Sequence, residues 1–217
     1  NSGTLTLNNA TVSGNTATGG AGGNSDTTNG NGGSGFGGGI YNTGTLTLNN
    51  TSVNGANSAT NGVAGAGTGA AGVAGSGSGG GIYNDATASP DSVLIFNSTI
   101  SANTASTNGG GIANVGTLNN ATLTITNSTI SGNMANNDGG GLYNDSVSGT
   151  TTITASTVTD NRADNDSSLV GAGGGIRVVS GPVVLKDTIV AANYQASLQV
   201  ETATVTGGPI TAGVNQR

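Results

Sequence analysis

The sequence predicts an all-β chain wound as a parallel β-helix, a solenoid of about six coils with three short strands each, in a single domain over residues 1–217. Three observations predict it. The hexapeptide GGGIYN at 37–42 returns unchanged at 79–84, then as GGGIAN at 109, GGGLYN at 139 and GGGIRV at 173, at intervals of 42, 30, 30 and 34 residues, a solenoid's period. Short alternating runs of Val, Leu, Ile and Thr fall between the copies, which is the pattern of half-buried strands. Glycine supplies 42 of the 217 residues, with only 6% charged and 3% aromatic, so a thin core repeated along an axis suits the composition better than one thick aromatic core.

The first run of each coil is the hexapeptide itself. Alternation sends Ile40 and Asn42 to one face and Tyr41 to the other. Ile82, Ile112, Leu142 and Ile176 repeat the aliphatic position, and Asn84, Asn114 and Asn144 the amide. The glycines fit a tight corner where chain passes close over chain. Asparagines stacked at one corner of successive coils satisfy each other's buried amides, so their role is structural.

The second run gives the inward pairs Leu5/Leu7, Leu46/Leu48, Val93/Ile95, Leu123/Ile125, Thr151/Ile153 and Val183/Leu185. The third gives Val12, Val53, Ile100, Ile130, Val158 and Val190. An asparagine follows three residues later at Asn15, Asn103, Asn133, Asn161 and Asn193, forming a second ladder; the copy after Val53 departs, with Ala56 at that place and Asn57 one later. Two insertions interrupt the pattern, at about 16–36 and 58–78. Alone each reads as a flexible linker; emerging side by side, with spaced Ala and Val and with Phe36, the pair reads alternatively as ordered, packed glycine-rich loops.

GGGIYN, and TLTITNSTISGN at 122–133, resemble the repeats of polymorphic outer membrane proteins of the chlamydial type. They are also similar to large bacterial secreted proteins with pectin-lyase-like right-handed β-helices. The glycine segment is matched five times, and the companion motif appears as Ile130-x-x-Asn133 and its equivalents, with Val or Ile where the family has Phe. The resemblance covers nearly the whole chain. It implies a right-handed coil, a bacterial extracellular or cell-surface location, and a role as stalk, adhesin or filament component, with surface glycans or host and cell-surface molecules as partners. It transfers no catalytic residues.

A net charge of −6 with four basic residues leaves no cationic footprint for nucleic acid. No apolar run approaches the ~18 residues of a membrane span. Asp138, Asp160, Asp164 and Asp166 form the strongest acidic cluster, a solvated turn by composition, with calcium as the alternative cofactor; neither EF-hand nor nonapeptide spacing is present, and Arg162 stands in its middle. Asp85 and Asp145 fall two coils apart, about 9.6 Å by strand spacing, near the upper end for an inverting carboxylate pair. This raises a polysaccharide-degrading alternative. Tyr41, Tyr83 and Tyr143 point outward from equivalent places, as a strip for sugar rings or a partner, or as packing beneath the insertions. Thr4/Thr6, Thr45/Thr47, Thr122/Thr124 and Thr150/Thr152 line up in two outward columns, broken by Ser92, Leu94, Pro182 and Val184, which raises ice binding as a third reading. Asn1 aligns with Asn42, and GGPITAGVN from Gly207 reads as one more corner and strand. The chain is therefore expected to be an excerpt of a longer β-helix or a subunit that stacks end to end, with strands after Ser197 completing an adjoining coil.

Overall fold

The computed structural model describes residues 1–87, 91–116, 121–168, 170–195, 205–207 and 210–212. Among the described residues every regular element is a β-strand, and strands of successive coils pair in parallel, forming the solenoid. The first sheet stacks Ile40–Asn42, Ile82–Asp85, Ile112–Gly116, Leu142–Ser146, Ile176–Ser180 and Val205–Gly207. The second runs from Thr4–Asn8 through Thr45–Asn49, Asp91–Phe96, Ala121–Thr126, Thr151–Thr154 and Val183–Lys186 to Ile210–Ala212. The third runs from Thr11–Ser13 to Ile189–Ala191. Ser197 lies outside the described residues, while Val205–Gly207 and Ile210–Ala212 extend the first and second sheets.

Each coil also carries a fourth strand beyond the three expected. This sheet stacks Thr16–Thr18, Ser58–Thr60, Thr104–Ala105, Met134–Ala135, Arg162–Ala163 and Tyr194–Gln195. Most of these strands are two residues long, too short to show alternation. Their inward residue is Ala59, Ala105, Ala135 or Ala163, each fully buried but too small to mark a hydrophobic period.

The bore is aliphatic. Leu46, Leu48, Ile82, Ile95, Ile100, Ile112, Leu123, Ile125, Ile130, Leu142, Ile153 and Ile176 are completely buried. Each contributes about 1.5–3 kcal/mol against exposure, which is the main force closing the coils. The glycine corner is required by geometry at all three of its places. Gly109 has φ +66°, and a Cβ on Gly110 would strike the Met134 carbonyl of the next coil, as one on Gly111 would strike the Gly141 carbonyl.

The two insertions are ordered. Gly19 and Gly22 donate to the Thr60 and Val63 carbonyls, Gly30 and Gly33 to Gly23 and Gly20, and Gly62 and Gly65 to Gly33 and Gly30. Donors spaced three residues apart match the three-residue turn of polyproline II, which makes no internal hydrogen bonds and directs its N–H groups to neighbouring segments. Asn29, buried near the loop tip, donates to the Gly67 and Gly69 carbonyls and accepts from the N–H groups of Ser25 and Gly67. A short parallel pair, Gly35–Phe36 with Gly77–Ser78, returns both loops to the corner.

Candidate functional site

Two amide ladders occupy inward corners. In the first, Asn42 Nδ2 donates to Asn84 Oδ1 at 2.7 Å, Asn84 to Asn114 at 2.9 Å and Asn114 to Asn144 at 3.0 Å, all four residues being fully buried. At the next coil Val178 replaces the amide, and Asn144 donates instead to the Ser180 carbonyl at 2.8 Å. In the second ladder Asn103, Asn133, Asn161 and Asn193 follow one another with Nδ2 to Oδ1 distances of 2.9–3.0 Å. Each oxygen also accepts the preceding asparagine's backbone N–H, as at Asn103 to Asn133, so the stacked amides leave little polar capacity unused.

Asn57, not Ala56, fills this ladder in the second coil, accepting from Asn15 and donating to Asn103, both at 2.9 Å. The extra residue is absorbed by two consecutive left-handed residues, Gly55 (φ +68°) and Ala56 (φ +62°), where other coils have one. A third ladder escaped the sequence reading. The buried hydroxyls of Ser98, Ser128 and Ser156 each accept the backbone N–H of the preceding coil's equivalent residue. They donate to the Phe96, Thr126 and Thr154 carbonyls. The signal was present in the Ser-Thr pair repeated at 98–99, 128–129 and 156–157, in which the serine faces inward.

The tyrosines do not form an open strip. Tyr83 is 8% exposed, its ring stacked on Phe36 from the first insertion at 4.5 Å and on Tyr41 at 5.7 Å. It is therefore packed beneath the insertion. Tyr41 is partly exposed and donates its hydroxyl to Asp85. Burial and then that bond push its phenol up to about 12. Burial and the Asp145 carboxylate push Tyr143 up to about 12, while burial raises Tyr83 further.

Asp85 and Asp145 face each other across Val115 in register. Asp85 accepts from Tyr41 and from Thr87, and Asp145 from the Ser180 hydroxyl at 2.6 Å, so both carboxylates are turned to neighbouring hydroxyls. The acidic cluster separates. Asp138 accepts the Ala172 N–H at 2.7 Å and lies 3.5 Å from Arg177; Asp164 is buried and accepts from Ser168; Asp166 accepts from the Ser168 N–H. Asp160 turns the corner before the fourth sheet in a left-handed conformation. Among the described residues no three acidic groups converge on one ion position.

On the second sheet's outer face Thr6, Thr47, Leu94, Thr124, Thr152 and Val184 stand in register, with Leu94 39% exposed among the threonines. Where this sheet turns into the third, Asn9, Asn50, Asn97 and Asn127 all adopt left-handed φ near +50°, a conformation asparagine tolerates better than most residues. Asn50 donates to Asn9, and Asn127 to Asn97 at 2.7 Å, whereas no hydrogen bond joins Asn50 to Asn97. A polar groove of about 280 Å³ runs along this corner from Asn9–Thr11 across Asn50–Ser52 to Asn97 and Thr99, and so includes that step. Comparison with protein-family models, curated proteins and solved structures returns no match.

Proposed function

We propose that the protein is a non-enzymatic structural and adhesive solenoid of a bacterial surface, a stalk, adhesin or filament element exported from the cell. One observation carries this reading. Three side-chain ladders cross-link successive coils, so residues that would serve chemistry elsewhere hold one coil to the next. The repeats' resemblance to those of polymorphic outer membrane proteins points the same way. Beads coated with the chain should adhere to glycan- or cell-coated surfaces and release no reducing ends from polysaccharides. Reducing-end release would favour the enzymatic alternative, and beads that adhere to neither surface would overturn the adhesive role.

A further inference from the structure

We propose that the corner of the second and third coils binds a neutral saccharide, a reading that rests on the adhesive role and gives it a site. Asn50 and Asn97 are successive members of the outer amide row, yet they make no bond to each other, so each keeps amide capacity directed at the step between them. The groove there holds about 280 Å³ and is lined by the amides of Asn9, Asn50 and Asn97 and by Thr11, Ser52 and Thr99. No charged side chain lines it. Amides and hydroxyls both donate and accept, which is what vicinal sugar hydroxyls require, and the absence of charge in the lining favours an uncharged ring over a uronate or a phosphate. The volume falls just below that of drug-sized pockets and suits one or two rings.

An apolar pair precedes the groove residue Asn97 in the chain. Along Asp91–Phe96, Leu94 and Phe96 alternate outward with buried Val93 and Ile95, where the strands on either side place Thr47 and Asn49, and Thr124 and Thr126. Phe96, partly exposed, directly precedes Asn97 in the chain. A pyranose has the matching character, with an apolar C–H face for Phe96 and a hydroxyl rim for Asn50 and Asn97.

The test is titration of the full chain with glucose, galactose, N-acetylglucosamine and glucuronate, following the side-chain amide resonances of Asn50 and Asn97 by NMR. At least one neutral sugar should shift both resonances, and glucuronate should shift them less. Asn97→Ala should weaken that sugar about tenfold, the worth of one or two hydrogen bonds. This variant keeps the corner, because Ala155 holds the same place with φ +49°. Phe96→Thr, which copies Thr126, should weaken binding independently. Amide signals unmoved by all three neutral sugars would overturn the site, as would shifts of equal affinity in Asn97→Ala. Bead adhesion that survives Asn97→Ala would also overturn the site while leaving the adhesive role standing; unaltered beads that fail to adhere would overturn that role instead.

Discussion

Asn114 is bonded on both sides. It accepts from Asn84 and donates to Asn144, to the Ala121 carbonyl at 3.0 Å and to Thr151 at 3.3 Å. Replacing it with Leu leaves the buried Asn84 Nδ2 without its acceptor and removes one of the two donors to Asn144 Oδ1, the other being the Thr151 hydroxyl. Chemical denaturation should show a loss of roughly 1–3 kcal/mol, and an unchanged midpoint would mean the ladder contributes nothing. The tyrosines give a second residue-scale prediction. With phenol pKa values raised from the usual 10 to about 12 at Tyr41 and Tyr143, the folded state holds its protons through a range in which the unfolded state releases them. Their stabilisation is complete below pH 10 and is lost as pH rises from 10 toward 12. Tyrosinate absorbance should therefore appear late in an alkaline titration of the folded chain, and a titration centred at 10 would contradict the burial described. At this scale the sequence was legible wherever side chains repeat with a period. The positions of Ile40, Ile82, Ile112, Leu142 and Ile176 and of Asn42, Asn84, Asn114 and Asn144 follow from alternation, and those of Asn103, Asn133, Asn161 and Asn193 from their recurrence three residues after the inward Val or Ile. The one-residue offset of Asn57 was visible in the sequence, but not how it is absorbed, which rests on the left-handed backbone at Gly55 and Ala56. Tyr83 looked outward, as it is, but its cover by Phe36 depends on where the insertion folds back.

Among the elements, the fourth strand and the insertions were the least readable. Alanine-centred strands of two residues carry almost no hydrophobic signal, and the glycine-rich loops have the composition of a linker. What orders the loops is backbone contact at close approach: a Cβ on Gly62 would collide with the Gly20 carbonyl, and one on Gly65 with that of Gly23. Gly62→Val should therefore release both loops together while the core coils persist. Hydrogen exchange should show lost protection at Gly30, Gly33 and Gly65 with little change at Ile95 or Ile125. Loss of protection throughout would mean that the loops support the core. The groove was also invisible in sequence, since Asn97 and Asn127 read identically there, and only the missing bond to Asn50 sets the step apart.

Across the whole molecule, cohesion comes from stacked aliphatics, parallel strand hydrogen bonds and ladders, each linking neighbouring coils. A chelator should leave the melting temperature unchanged, and a large fall would assign a structural calcium to the dispersed Asp138, Asp160, Asp164 and Asp166. The solenoid is also asymmetric along its axis, and the insertions record it. In the first loop Asn24, Asn31 and Ser34 each accept the backbone N–H of the residue 42 positions on, and Asp26 accepts the hydroxyl of Thr68. The residues they reach are Ala66, Val73, Ser76 and Thr68. Ala66 and Val73 have no acceptor to extend in turn, and the next coil carries no insertion to receive one. The first layer thus offers side-chain acceptors to the second, while Ala66 and Val73 offer none onward, so the pair of loops carries a direction along the axis.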